Sequence, residues 1–156
     1  MDLDPKTDLS FTRILPVPRA LVWACWTSEK HLPNFFVPRP HKVVACKLDL
    51  RVGGVCNTTF EVDGNLMEND GVYLEIIPNE KLVFTDTYTA GWKPKAEPFM
   101  TAILELADTP EGQTEYTVTV RHRNPETADQ HKAMGFYDGW GTVADQLVEY
   151  IQGLQK

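Results

Sequence analysis

Hydrophobic residues recur with a helical period over the last part of the chain. Between residues 127 and 154, seven apolar residues follow one another at spacings that alternate between four and three, which places them on one face of an α-helix. The seven are Ala133, Tyr137, Trp140, Ala144, Leu147, Ile151 and Leu154. A helix of about 28 residues is about 40 Å long. The pattern therefore predicts one long C-terminal helix whose apolar face is covered by a broad partner surface.

Three glycines, Gly135, Gly139 and Gly141, interrupt the first half of this helix. Each costs about 1 kcal/mol relative to alanine in a helix interior, so each needs a structural reason. We favour close packing against a strand or a local bend. The functional alternative is that the missing side chains leave an internal cavity beside Trp140.

From residue 41 to residue 122, apolar and polar residues alternate with a period of two, which is typical of strands with one buried face. Turns rich in Gly, Pro, Asn and Asp divide this region into six predicted strands. They cover residues 41–49, 55–62, 71–77, 81–89, 100–106 and 114–123. In the first of them Val44 is predicted to point inward. The same alternation places Asp86 and His122 on the apolar side of the sheet.

The N-terminal part of the chain adds one strand and two short helices. Residues 1–8 are polar and acidic and are predicted to be disordered, whereas residues 9–15 have the composition of a strand. Pro18 suits the first turn of a helix that continues to Trp26, and a second helical turn follows Ser28. Residues 9–154 are therefore predicted to form a single α+β domain. In it a curved antiparallel sheet of about six to seven strands wraps around the long C-terminal helix, an arrangement called a helix-grip.

Composition narrows the classes of partner. The 156 residues suffice for one domain with a substantial core. A net charge of −7 argues against nucleic acid, and no apolar run is long enough for insertion into a membrane. The N-terminus lacks the features of a secretory signal, so we expect a cytoplasmic location. Cys25, Cys46 and Cys56 lack metal-ligand spacing and are interpreted as reduced thiols, with a redox pair between Cys46 and Cys56 as the alternative.

No established catalytic or cofactor-binding motif occurs in the chain, whether P-loop, GxGxxG, GxSxG or HExxH. We therefore expect no metal, no cofactor and no assigned catalytic residue. Asp86 and His122 are the candidates for polar chemistry, because an unpaired polar group on a buried face costs about 1 to 3 kcal/mol. The interpretation we favour is that Asp86 lies at the wet end of the sheet and that His122 bonds to a backbone group or water. The functional alternative is that they orient a ligand, or act as an acid/base pair in an enzyme.

Large aromatic side chains carry the binding hypothesis, since pockets between a helix and a curved sheet suit apolar molecules. The predicted ligand-binding residues are Phe60, Phe84, Asp86, Tyr88, Trp92, His122, Met134, Tyr137 and Trp140.

Several short motifs, in order and with plausible gaps, resemble those of the SRPBCC (START/birch-pollen-allergen-like) superfamily. They are Phe11, Arg13, Pro18, Val22, Trp23 and Thr27, then LRVGG at 50–54, Gly71, residues 78–83 with Thr85, and Gly139-Trp140 with Leu147. Within the superfamily, the chain is most similar to the group of the C-terminal domain of the activator of the heat-shock protein 90 ATPase. The resemblance covers residues 9–154 and implies the helix-grip fold with an internal cavity.

The resemblance does not by itself assign a function, because a shared fold does not transfer one. Members of the superfamily include lipid and hormone carriers, aromatic cyclases, and hydrolase-like or stress-related proteins. The activator's co-chaperone work also uses a separate N-terminal domain, for which this chain has no room. That difference argues against a chaperone role.

We therefore expect a domain that sequesters or transports a small hydrophobic or aromatic molecule, and more a carrier than an enzyme. One alternative is an enzyme of cyclase or hydrolase type that uses Asp86 and His122. Another is a stress-related protein that binds a chaperone. Whether the chain forms a homodimer is left open.

Overall fold

The computed structural model describes residues 2–156. This part of the chain contains ten strands and three α-helices. In chain order they are β1 (Asp8–Leu15), α1 (Arg19–Trp26), β2 (Lys42–Leu48), β3 (Cys56–Val62), β4 (Asn65–Asn69), β5 (Val72–Ile77), β6 (Lys81–Thr85), β7 (Tyr88–Thr89), β8 (Lys93–Pro94), β9 (Thr101–Asp108), β10 (Thr114–Arg121), α2 (Pro125–Ala133) and α3 (Phe136–Leu154). A short 3₁₀ helix, Leu32–Asn34, lies between α1 and β2.

The strands form one main antiparallel sheet and two smaller sheets. The main sheet has the order β1-β10-β9-β6-β5, the second has the order β2-β3-β4, and β7 pairs with β8. Backbone hydrogen bonds join the first two sheets, since Gly53 N donates to Tyr73 O and Tyr73 N donates to Gly54 O. The sheet is curved and the C-terminal helix lies against it, so the predicted α+β helix-grip fold is confirmed.

The core lies between α3 and the inner face of the main sheet. On β10 the residues predicted to point inward, Tyr116, Val118 and Val120, are all fully buried. The buried face of α3 includes Phe136, Trp140, Val143, Ala144, Leu147 and Ile151. Trp140 stacks on Trp26 of α1 with 6.3 Å between ring centroids. Trp26 also contacts Phe84 of β6, with 6.1 Å between ring centroids, so α1 contributes to the core.

The prediction of one continuous helix over residues 127–154 is wrong, because the chain breaks between α2 and α3. Gly135 separates the two helices and has a φ angle of +95°. This left-handed conformation is readily available only to glycine and ends an α-helix. Ala133 and Tyr137, on either side of the break, are exposed rather than buried, because the break changes the phase of the helical pattern. Leu154, the last helical residue, is also exposed.

The favoured interpretation of the glycines is confirmed at two positions. Gly135 makes the bend, and Gly141 lies so close to β1 that a Cβ atom there would be 2.7 Å from Arg13 Nη2. Arg13 donates hydrogen bonds to Gly141 O and to Asp145 Oδ1. The alternative, a cavity beside Trp140, stays a prediction; that side chain is buried and packed against Trp26.

Two irregularities change which residues point inward. A bulge between Val43 and Ala45 in β2 turns Val44 outward, so this residue, predicted to be buried, is 47% exposed. A second bulge between Tyr73 and Glu75 in β5 accompanies complete burial of Tyr73. β4 was not predicted. The predicted strand over 81–89 ends at Thr85, beyond which the chain bends before β7.

The chain before β1 contacts the main sheet. β1 begins at Asp8, and the carbonyl of Thr7 accepts hydrogen bonds from the backbone and the side chain of His122. The division of the chain into a disordered segment, residues 1–8, and one domain, residues 9–154, stays a prediction. No helix among residues 2–156 is both long enough and apolar enough to span a membrane.

Candidate functional site

An apolar cavity of about 80 Å³ lies where the second sheet meets the main sheet. Three aromatic rings form much of its wall: Phe60 of β3, Phe84 of β6, and Phe36 from the loop after the 3₁₀ helix. Phe36 contacts the other two edge-on, with ring centroids 5.6 Å from Phe60 and 6.3 Å from Phe84. Met100 adds a flexible apolar side chain to the wall. The arrangement suits a small apolar or aromatic group.

The loop that carries Phe36 is fixed to α3 by Gln146. The side-chain amide of Gln146 donates to Phe35 O at 2.9 Å and to Val37 O at 2.8 Å. Its oxygen accepts from Arg39 N at 2.9 Å. Gln146 is buried, so these contacts satisfy backbone groups that solvent could not reach. No residue of α3 lines the cavity. The helix instead affects the cavity by holding the loop that carries Phe36.

The polar part of the lining consists of hydrogen-bond acceptors and hydroxyl groups. Asp70 lies at the solvent-exposed side of the cavity and forms an ion pair with no described residue. Thr58 is only 5% exposed and contributes a hydroxyl group to the lining. Asn69 uses its amide group on the carbonyls of Thr58 and Met67. Among the described residues that line the cavity, none is a lysine, an arginine or a histidine.

Asp86 also lines the cavity, and its carboxylate is engaged by the neighbouring segment. It accepts hydrogen bonds from Phe99 N at 2.9 Å and Met100 N at 3.0 Å, and Lys95 Nζ lies 3.2 Å away. These contacts hold Met100 at the cavity wall. Asp86 therefore has partners at the end of the strand, in line with the interpretation we favoured.

His122 lies outside this cavity and pairs with a second histidine. Its Nδ1 is 2.7 Å from Thr7 O, and its Nε2 is 2.8 Å from His131 Nδ1. A carbonyl oxygen only accepts, so Nδ1 of His122 donates, and in the neutral pair Nε2 accepts from His131. Burial, followed by the nearby His122, lowers the pKa of His131 to about 4. His131 is therefore neutral at pH 7.

Asp86 and His122 are therefore held in separate hydrogen-bond networks, with Phe99 between them. No hydrogen bond joins the two side chains in the part of the chain that the structure describes. The two side chains therefore have different partners in the structure.

The nine predicted ligand-binding residues do not lie together in the structure. Phe60, Phe84 and Asp86 line the cavity. The other six lie elsewhere: Met134, Tyr137 and Trp92 are exposed, Tyr88 packs edge-on against Trp92, Trp140 is in the core, and His122 pairs with His131. That any of the nine contacts a ligand stays a prediction.

Sequence reasoning missed Phe36, Asp70 and Met100 in the lining. Phe36 lies in a proline-bounded loop, which no periodic pattern marks. Met100 is the first residue of the predicted strand 100–106 but was not selected as a ligand-binding residue, and in the structure it precedes β9. Thr58 gave a usable signal, because the alternation in residues 55–62 places this hydroxyl group on the buried face. A polar residue at such a position indicates either a structural partner or a cavity.

The thiols offer no reactive site. Burial raises the pKa of Cys46 to about 11 and of Cys56 to about 12, so both stay protonated at neutral pH. In the register of β2 and β3, Cys46 lies opposite Thr58 and Cys56 opposite Leu48, so the two cysteines are diagonal neighbours and are not bonded. Within residues 2–156 no group of three or more His, Cys, Asp or Glu side chains could hold a metal ion.

The helix-grip fold with a cavity at the junction of its sheets is that of an SRPBCC-type domain. Residues 16–152 match the family model described as Activator of Hsp90 ATPase homolog 1-like protein. Because the match covers most of the chain, the chain belongs to this family, and the resemblance found in the sequence is confirmed.

Solved structures agree with this assignment. Protein NE0264 from Nitrosomonas europaea is 36% identical, with 98% of this chain and 99% of that chain covered and a TM-score of 0.94. A Rhodobacter sphaeroides protein is 20% identical, with 98% and 97% covered and a TM-score of 0.83. An AHSA1-like protein from Aeromonas hydrophila is 14% identical, with 95% and 94% covered and a TM-score of 0.71, and this likeness shows the fold alone. Comparison with curated proteins gave no significant match.

Proposed function

We propose that this domain binds a small hydrophobic or aromatic molecule in the cavity bounded by Phe36, Phe60 and Phe84, and so sequesters or transports it. The observation that carries the proposal is the combination of three aromatic rings, a methionine and the hydroxyl group of Thr58 around one open space. A threonine hydroxyl group can both donate and accept a hydrogen bond. Thr58 could therefore bind a polar group of a ligand whose ring lies among the aromatic side chains.

The size of the cavity limits the ligand. An engineered apolar cavity of about 150 Å³ holds one benzene molecule, whereas this cavity measures about 80 Å³. A single ring therefore enters only if a wall residue moves. Phe36, Phe60 and Met100 are only partly buried, and Met100 has several accessible rotamers. The proposal is thus for a ligand of one ring, or for the ring end of a larger molecule.

Filling the cavity is expected to abolish binding. In the Thr58→Ile variant the added atoms occupy the space between the rings, and the β-branched side chain suits a strand. We expect the Kd of a neutral lipophilic dye such as Nile red, measured by fluorescence, to rise at least about tenfold, which corresponds to about 1.4 kcal/mol. The matched control is Thr59→Ile, on the other face of β3, which should bind the dye like the wild type.

Native mass spectrometry of the purified protein gives an independent test of occupancy. Dye binding that is equal in the wild type and in both variants would mean that the dye binds the protein surface. Together with the absence of any retained small molecule, that result would remove the proposal.

A role in binding a chaperone is the second candidate, supported by the family's description and by an exposed apolar patch. Leu50, Val52 and Trp92 are 42%, 56% and 52% exposed, and the ring of Trp92 packs against Gly53. Exposed apolar patches often mark protein interaction sites. A pull-down with heat-shock protein 90 should recover the wild type and less of the Trp92→Asn variant. Recovery at background level would exclude this candidate.

A further inference from the structure

The charge of the cavity lining restricts the class of ligand, and this inference rests on the proposed function. Two carboxylates, Asp70 and Asp86, belong to the lining, and no described cationic side chain does. The carboxylate of Asp86 is largely satisfied by two backbone N–H groups and Lys95. Asp70 is exposed and has no ion-pair partner among the described residues. The free charge at the cavity is therefore negative.

The remaining lining groups favour the same kind of ligand. The faces of aromatic rings are electron-rich and attract cations by about 0.5 to 1 kcal/mol at exposed sites. Phe36, Phe60 and Phe84 supply three such rings. The hydroxyl group of Thr58 can accept a hydrogen bond from an ammonium or amine N–H group. The net charge of −7 for the whole chain adds a field of the same sign.

A ligand with a carboxylate group does not suit this lining. Its charge would approach Asp70 without a compensating lysine, arginine or histidine in the lining. A contact between like charges is unfavourable even at an exposed carboxylate, and salt screens it in part. Fatty acids and aromatic acids are therefore poorly suited to this site.

We infer that the cavity selects small aromatic amines, with the ring between Phe36, Phe60 and Phe84 and the ammonium group directed to Asp70 and Thr58. The ring is held by apolar contact, and the amine is held at the solvent-exposed side by charge and hydrogen bonding. Asp70 is thus the residue that determines specificity.

Three probes of equal ring size test the inference: benzylamine, benzyl alcohol and benzoate. Each is titrated into ¹⁵N-labelled protein, and the amide signals of Thr58, Phe60 and Gly71 are followed by NMR. For ligands of this size we expect dissociation constants on the order of 1 mM. Benzylamine should bind at least about threefold more tightly than benzyl alcohol, and benzoate should bind more weakly than both. The advantage of benzylamine should shrink as salt is added.

The Asp70→Asn variant removes the negative charge at position 70 and keeps the shape of the side chain. It should weaken benzylamine binding about threefold or more and leave the Kd of benzyl alcohol unchanged. The matched control is Asp63→Asn, the same change at the exposed turn between β3 and β4, which should bind all three probes like the wild type. Thermal unfolding of both variants checks that each is folded.

The outcomes distinguish the inference from the function on which it rests. If benzoate binds as tightly as benzylamine, or if Asp70→Asn leaves the Kd of benzylamine unchanged, the selectivity for amines is overturned while ligand binding stands. If none of the three probes shifts the cavity amides, the proposed binding of small aromatic molecules fails and the inference fails with it. Tighter binding of benzylamine that depends on Asp70 supports both.

Discussion

Replacing Gln146 by leucine is expected to destabilise the protein by about 3 kcal/mol and to remove ligand binding. The leucine side chain cannot make the three hydrogen bonds to Phe35 O, Val37 O and Arg39 N. Phe35 and Val37 are 1% and 8% exposed, so their carbonyls would lose partners that water cannot readily replace. Each buried polar group left without a partner costs about 1 to 3 kcal/mol. Partial relaxation of the loop keeps the total below the sum of three such terms.

The loss of binding follows from the position of Phe36. This residue lies between the two carbonyls that Gln146 holds and contacts both Phe60 and Phe84. When the loop is released, one wall of the cavity is no longer fixed. Urea unfolding at pH 7 measures the stability, and the dye titration measures the cavity.

The matched control for this change is Gln152→Leu, which makes the same substitution at an exposed position on α3. It should change the free energy of unfolding by less than about 0.5 kcal/mol. If Gln146→Leu were as stable as this control, Gln146 would not be what secures the loop.

Local alternation was sufficient to predict those strands that stay regular. In β10, Tyr116 and Val118 point inward as the pattern indicates, because nothing interrupts the pleat between the turn and His122. In β2 the same reasoning fails at Val44, where one extra residue reverses the alternation. A bulge depends on the partner strand, which a single stretch of sequence does not contain.

The helix break shows a different limit. Three glycines lie in the first half of the predicted helix, and of these only Gly135 adopts a left-handed conformation. A Cβ atom at Gly139 would have no neighbouring atom within 4 Å. At Gly141 a Cβ atom would be too close to Arg13, a residue 128 positions away in the chain. The sequence shows that glycines are unusual there. It does not show which of them bends the chain, because that depends on how α2 packs.

The candidate site was predictable only where its residues lie on regular strands. Phe60 and Phe84 were identified because each is a large aromatic residue on the predicted inner face of a strand. Phe36 was missed because its position depends on Gln146, which follows it by 110 residues and is a polar side chain on a predicted apolar helix. The cavity lies at the junction of the two sheets, and its lining combines residues of regular strands with residues of loops.

Lowering the pH from 7 to 4.5 is expected to destabilise the wild type by about 2 kcal/mol more than it destabilises the His131→Asn variant. Burial and the neighbouring His122 lower the pKa of His131 to about 4, against 6.5 for the free side chain. Between these values the unfolded chain binds a proton at this site that the folded protein does not bind. The contribution of this group is therefore fully present above pH 6.5 and is lost as the pH falls towards 4. One pKa unit corresponds to about 1.4 kcal/mol, and solvent screening at a site that is not fully enclosed reduces the total.

Asparagine is chosen because its side-chain N–H group can replace the donor that His131 Nδ1 provides to His122 Nε2, 2.8 Å away. The variant keeps the hydrogen bond to His122 but has no side chain at position 131 that binds a proton in this pH range. Urea unfolding at several pH values gives the slope for each protein, and the comparison of slopes cancels the acid sensitivity of the carboxylates that both share. His41→Asn, at a partly exposed position outside the histidine pair, should retain the wild-type slope. Equal slopes for the wild type and His131→Asn would mean that folding does not lower the pKa of His131.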